Sequence, residues 1–295
     1  MHQTDIPPVL VTGATGRIGR LVIDQLLDAG VPVRALTRRA ETAATLPTKV
    51  EVFTGDLTVP ESLDPALNGA GAVFLVWTAP PQTAAAVVER LADRVRRVVF
   101  LSSPHQTPHP FFQQPNPMAV LHAGIERLIA ATGIEATIIR PGMFSSNSLA
   151  WWGPAVRTRE AVRWPYGAAE WAPVDDRDVA AVAARTLWQE GYVGGDYVLT
   201  GPESLTQAAQ VDVIGDTLGR RIPFEEVAPD EFRRLWEGTA PSSVVDMLLS
   251  AWRAAVGQPA HVTTAVADVL GTGPRTFRQW AADHATAFTE GPEGS

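Results

Sequence analysis

The 295-residue sequence has no cysteine, which excludes disulfides, thiolate nucleophiles and cysteine-ligated zinc. No apolar run is long enough to cross a bilayer. Met1 to Pro8 is short, polar and carries Asp5, so a signal peptide is not expected and a cytoplasmic setting away from membranes is the simplest expectation. Basic residues form no stripe, and a net charge of −8 argues against a nucleic-acid partner. Tyrosine is scarce, with only Tyr166, Tyr192 and Tyr197. What remains is ordinary for a folded protein: 45% hydrophobic and 19% charged residues. The length suits one large α/β domain, alone or with a small appendage.

The most informative stretch begins at Val9. Val9-Leu10-Val11 is a short apolar run suited to a strand covered on both faces. From Ile18, apolar residues recur at Leu21/Val22, Leu26 and Ala29 with helical spacing, and Gly30 is a natural stop. Between them stand Gly13, Gly16 and Gly19. Side chains there would keep a pyrophosphate from the amides at the helix start, where the dipole favours negative charge. The turn Gly13-Ala14-Thr15-Gly16-Arg17-Ile18-Gly19 is therefore expected to bind a dinucleotide. The spacing is G-x-x-G-x-x-G rather than G-x-G-x-x-G, but the flanking strand and helix supply the required context.

Val31 to Thr37 reads as a second strand ending in Arg38-Arg39. An acid at this position would bind the free 2′-hydroxyl of NADH; here Thr37 stands in its place. Arg38, Arg39 and Arg17 suit a 2′-phosphate in charge and geometry, so NADPH is expected to be preferred over NADH. Further strands are expected at Val50 to Phe53, Ala72 to Trp77, Arg97 to Ser103 and Ala136 to Arg140, with helices between them, including Met118 to Thr132 closed by Gly133. Strands and helices alternate six times without a hairpin signal, which predicts an α/β fold with a Rossmann-type doubly wound parallel sheet. After Phe144 the rhythm breaks, and Trp151, Trp152, Trp164, Tyr166 and Trp171 gather in a mixed segment. Asp176 is the expected N-cap of a helix over Val179 to Glu190, and Thr206 of one ending near Leu218. The expected organisation is a dinucleotide-binding domain over 7–150, with later strands returning from about 172–200. A small α/β lid occupies most of 151–288, and 289–295 forms a tail.

These motifs together resemble an atypical short-chain dehydrogenase/reductase, most closely the NmrA-like branch. The residues that carry the resemblance are the glycine turn, Thr37-Arg38-Arg39, Gly55-Asp56-Leu57, Leu101-Ser102-Ser103, His122-x-x-x-Glu126, Arg140-Pro141-Gly142 and Pro173-Val174-Asp175-x-x-Asp178-Val179-Ala180. The resemblance implies that Asp56, with Leu57, lies at the adenine, that Trp77 and Thr78 pass over the cofactor, and that Ser102 and Pro141 flank the nicotinamide. Asp56 is equally able to cap the turn at Thr58, and Trp77 to pack in the core. The superfamily's Tyr-x-x-x-Lys pair is replaced by Met118 and His122, which removes the usual proton relay of alcohol–ketone chemistry. Glu126, one turn beyond His122, is placed to orient or charge its imidazole. His122, Ser102 and His105 are the candidate catalytic residues, and no metal site is expected.

The aromatic segment suits a pocket for a flat ligand, with Phe144, Trp151, Trp152 and Trp164 as candidate substrate contacts. The leading expectation is an NADPH-dependent reductase of a conjugated, aromatic, quinone-like, enone or imine small molecule, in a chain that could form a homo-oligomer. Two alternatives stand beside it: a dinucleotide-binding redox sensor without turnover, and an isomerase or cyclase using the same cleft.

Overall fold

A strand buried on both faces should send alternate side chains to two different cores. The first strand, β1 (Val9–Val11), does so: Val9 and Val11 enter one core and Leu10 the other. The computed structural model describes residues 6–290; 1–5, and 291–295 of the expected tail, lie outside the described residues. β1 belongs to a seven-stranded, wholly parallel sheet with β2 (Val33–Thr37), β3 (Glu51–Thr54), β4 (Ala72–Leu75), β5 (Arg97–Leu101) and β6 (Glu135–Pro141). Two short strands, β7 (Val162–Trp164) and β8 (Glu170–Trp171), intervene before β9 (Asp196–Leu199) completes the sheet. The strand order β3-β2-β1-β4-β5-β6-β9 reverses direction between β1 and β4. At such a switch point a crevice opens outside the carboxyl ends of the strands.

Helix α1 (Arg17–Asp28) buries Val22, Ile23 and Leu26 on the core that holds Val9 and Val11. α2 (Asp64–Leu67), α3 (Ala84–Arg94) and α4 (Pro117–Thr132) cover the opposite face through Leu67, Val87, Leu91, Ile125 and Ile129. α4 starts where the Asn116 side chain accepts from the Met118 amide and ends at Gly133 with φ 72°, a left-handed cap that glycine adopts without strain. After α5 (Asn147–Trp151) and α6 (Gly153–Thr158), α7 (Asp176–Trp188) returns to pack on α1. Its alanines 180, 183 and 184 allow close approach. Its N-cap is Asp175, not the expected Asp176: the Asp175 backbone is extended and its carboxylate accepts from the Arg177 amide at 2.8 Å, whereas Asp176 is already helical.

The remaining elements are β10 (Leu205–Thr206), α8 (Gln207–Thr217), β11 (Phe224–Glu226), α9 (Pro229–Leu235), α10 (Ser242–Ala255), α11 (Ala265–Leu270) and α12 (Phe277–Asp283). Thr206 caps α8 as expected, accepting from the Ala209 amide. β8 pairs with β10 and β7 with β11, while α11 leaves the lobe and returns to the sheet core through Val266 and Val269. The lobe has its own core, built on tryptophan. Trp252 lies within 6.5 Å, centroid to centroid, of Trp151, Trp164, Trp171 and Phe232 and is fully buried.

Removing that ring leaves a cavity that rigid aromatic neighbours cannot fill. Trp252→Ala should therefore lower stability by about 3–5 kcal/mol, measured by urea unfolding. A loss below about 1 kcal/mol would mean that the lobe core repacks freely.

Candidate functional site

The crevice at the switch point is floored by the glycine turn. Gly13 has φ +61°, its carbonyl accepts from the Gly16 amide at 2.9 Å, and a Cβ on Gly19 would lie 2.2 Å from the same carbonyl. Glycine at 19 thus lets α1 begin directly against the turn. Gly16 caps α1 without any side-chain bond, so the first amides of the helix are left for an anion. Thr15 and Arg17 are exposed at this mouth, and Ile18 packs into the core beneath it. Thr12, at the end of β1, exchanges hydrogen bonds with the Val76 backbone and fixes the turn to the segment after β4. A helix start without a cap, approached by bare backbone, fits the pyrophosphate of a dinucleotide.

At the adenosine end, the Thr37 hydroxyl closes the turn after β2 by bonding the Arg39 carbonyl at 2.9 Å. Arg38 and Arg39 are exposed there, with no acid at the strand end. Arg17 does not join them: its guanidinium faces Asp176, the first residue of α7, at 3.5 Å. Asp176 is buried and also accepts from Ser146 at 2.9 Å, and burial raises its pKa. Asp56 caps its own turn, accepting from the Thr58 amide at 2.8 Å. Leu57 is buried in the sheet core rather than facing the crevice. Trp77 is also a core residue; its indole donates to the Ala79 carbonyl at 2.5 Å. Thr78, beside it, is exposed.

At the other end of the crevice, Ser102 directly follows β5, and β6 ends in Arg140 and the buried Pro141. Arg140, almost wholly buried, grips Glu126 through two bonds of 2.7 and 2.9 Å and Asp196 through two of 2.6 and 3.0 Å. Ser102 Oγ donates to the same Glu126 carboxylate. His105 approaches it too, with Nε2 at 3.6 Å and Nδ1 3.0 Å from the Ser103 carbonyl. His122 is left out of this network, and the expected His122–Glu126 pairing is not made. Its Nδ1 is buried without a partner, and its ring stands edge-on to Phe100 at 5.6 Å. Burial lowers its pKa to about 4; Glu126 opposes this, while His105 and Arg140 add to it. His122 is therefore a neutral imidazole at physiological pH. Met118, in the first turn of α4, is exposed and lines an apolar groove with Pro81 and Val120.

The expected substrate residues divide. Trp152 and Trp164 are 0% and 2% exposed within the lobe core, and Trp151 is packed edge-to-face between Trp171 and Trp252. The expectation that Trp152 and Trp164 face a ligand is corrected: a tryptophan core is the cheapest place to hide such large apolar rings. Phe144 is half-buried and bridges to Val174 beside α7. A narrow cleft opens instead where β6 and β9 end, lined by Phe111, Phe112, Met143, Trp171, Thr200 and His261. Phe111, Phe112 and His261 were absent from the sequence expectations. The adjacent phenylalanines in the Pro- and His-rich loop were the available signal for two of them, and nothing local marked His261.

Among known proteins, the family described as NAD(P)H-binding matches residues 13–190. A (4-alkanoyl-5-oxo-2,5-dihydrofuran-3-yl)methyl phosphate reductase of Streptomyces griseus subsp. griseus is 38% identical over 286 residues, covering 95% of this chain and 99% of the relative. An NAD(P)H azoreductase of Xenophilus azovorans is 29% identical, with 95% and 99% covered. The fold agrees with that of an NADPH-dependent quinone oxidoreductase of Escherichia coli in complex with NADPH, at a TM-score of 0.80, 23% identity, and 93% and 99% of the two chains covered. With its glycine turn and its parallel sheet, the chain belongs to the NAD(P)H-binding family.

Proposed function

We propose that this chain, an oxidoreductase by its family, is an NADPH-dependent reductase that acts on a conjugated small molecule without a tyrosine–lysine relay. The single observation that carries the reading is the composition of the site at the end of β5. Beside Ser102, the groups present are His105, a Glu126 already held by Arg140, and a neutral His122. None is a tyrosine poised to donate to an alkoxide at the reacting carbon. When bound, NADPH supplies the hydride, and the residues of the chain position and exclude. An acceptor whose charge delocalises onto a distant oxygen needs no donor beside the reacting carbon. The relatives support this choice: one reduces a furanone named with an acyl group on its unsaturated ring, and another is an azoreductase.

The preference for NADPH over NADH rests on Arg38 and Arg39, exposed beside Thr37 with no competing acid. Arg17 supports it less directly, because Asp176 holds it at the helix start. Turnover is tested by following NADPH oxidation across quinones, enones, imines and simple ketones. Oxidation with conjugated acceptors and none with simple ketones is expected. Tight NADPH binding with no oxidation by any acceptor would favour a sensor instead.

Calorimetric titration should find NADPH bound at least about tenfold more tightly than NADH, a difference near 1.4 kcal/mol, and Arg38→Ala should remove most of it; equal affinities in the unmodified chain would refute the assignment. Gly16→Val should abolish binding of both cofactors by obstructing the helix start.

Protonation of His122 generates a separate prediction. Its pKa falls from 6.5 in the unfolded chain to about 4 in the folded one, so between these values the unfolded state binds more protons. Stability contributed by neutral His122 is then present above pH 6.5 and declines as the pH falls towards about 4. In urea unfolding, the stability of the chain relative to His122→Gln should be lower near about pH 4.5 than near about pH 7.5. A difference independent of pH would show that the imidazole is not held neutral.

A further inference from the structure

Three acids stand at the start of α7, and two of them are locked. Asp175 accepts from the Arg177 guanidinium at 2.7 Å, and the same guanidinium holds Asp283 at 2.6 Å. Asp178 accepts from the Arg275 amide at 2.7 Å and from its guanidinium at 2.6 Å. Asp176 is held differently. Its Oδ1 accepts from Ser146 at 2.9 Å and faces Arg17 Nη1 at 3.5 Å, beyond ordinary hydrogen-bond length. Its Oδ2 is buried with no partner among the described residues. The Asp176 side chain is 7% exposed and that of Arg17 55%, so a poorly solvated carboxylate depends on a guanidinium that stands half in water.

Arg17 is also the first residue of α1, directly after the uncapped Gly16. A dinucleotide seated at the glycine turn brings its phosphates to this point. Arg20, the next arginine, is engaged by the Thr15 carbonyl at 3.1 Å and by Thr45 Oγ1 at 2.7 Å. Arg17 therefore faces two rival anions, a buried carboxylate on one side and a phosphate on the other. A phosphate offers paired oxygens to the planar guanidinium, and it is the stronger claimant. Few charges face Asp176. Arg17 from α1 attracts it, Asp175 beside it repels it, and Ser146 adds a hydrogen bond. The strands beneath α7 present Phe74, Val99 and Ile139, and α11 presents Val266 and Val269, all apolar. Arg177 and Arg275 are taken by Asp175, Asp283 and Asp178. Burial already raises the Asp176 pKa against the pull of Arg17, and surrender of Arg17 raises it further.

We propose that Asp176 is a positioning residue of the cofactor site: it holds Arg17 at the start of α1 in the free protein, yields it to a phosphate of the incoming dinucleotide, and takes up a proton in exchange. The exchange presupposes the dinucleotide site at the glycine turn. Its charges balance. The pair of Arg17 with a carboxylate becomes a pair of Arg17 with a phosphate, and one proton from the solvent neutralises the carboxylate left behind. Binding that consumes a proton tightens as the pH falls. The effect spans the window between the Asp176 pKa of the free protein and the higher one of the complex. Above that window the carboxylate stays charged beside the phosphates and weakens their binding.

The test uses the full chain and NADP, titrated calorimetrically from about pH 5.5 to about pH 8.5 in buffers of different ionisation enthalpy, which counts the protons taken up. Asp176→Asn and Arg17→Gln are compared with the unmodified chain, so that protonation of the cofactor itself cancels. The unmodified chain should take up more protons than either variant, with the excess approaching a full proton inside the window. Asp176→Asn, which releases Arg17 and removes the buried charge, should bind NADP severalfold more tightly at about pH 8.5, with the advantage shrinking towards about pH 5.5. Arg17→Gln should bind more weakly throughout. Circular dichroism checks that each variant is folded, and either one alone decides the proton count. Proton uptake equal in the unmodified chain and a folded variant, or Asp176→Asn binding no more tightly at alkaline pH, would overturn the proposal. Absence of NADP binding by the unmodified chain would instead refute the dinucleotide site, and the exchange with it.

Discussion

One backbone approach constrains much of the molecule: the start of α1 rests on the carbonyl of Gly13, with no room for a Cβ on Gly19. That contact aims the axis of α1 and leaves its first amides uncapped. α7 then packs along α1 through small alanines, and the two helix starts are joined by Arg17 and Asp176. A pyrophosphate arriving at the turn meets an arginine whose present partner is a poorly solvated carboxylate. The same steric demand that shapes the turn thus sets the electrostatic surroundings of its ligand.

The other end of the crevice is ordered by Arg140. A guanidinium offers planar, paired donors that match a carboxylate, and Arg140 satisfies two carboxylates at once, Glu126 and Asp196. Glu126 is therefore committed before His122 can recruit it. The i,i+4 spacing of His122 and Glu126 is real, but it describes one helix in isolation. The competing partner comes from the adjacent strand, fourteen residues on, where no helical periodicity reveals it. His122 consequently loses water without a hydrogen bond to that carboxylate, and burial outweighs the attraction of Glu126, which is the physical origin of its low pKa.

The sheet was largely legible because its rule is local. Short apolar runs at β1 and β4, glycines between strand and helix, and the cap at Thr206 all act within a few residues. The glycine turn was legible for the same reason. The aromatic segment was not, since composition reveals how much apolar ring must be buried and not which face buries it. Trp152 and Trp164 satisfy that need by packing against Trp171 and Trp252, and Trp252 lies about one hundred residues further along the chain. The narrow cleft depended on the same kind of non-local assembly, with Phe111, Trp171 and His261 brought together from three segments.

The tryptophan core also has an optical consequence. Trp151, Trp152, Trp164, Trp171 and Trp252 form contacts with ring centroids between 5.3 and 6.5 Å apart. Indoles this close share their excited states, so light absorbed by one is delocalised or passed to another before it is emitted. The cluster should behave as a single chromophore, with strong near-ultraviolet circular dichroism and strongly depolarised emission. A quencher that reached any one of these rings would then darken the whole group, so the lobe carries its own built-in optical reporter.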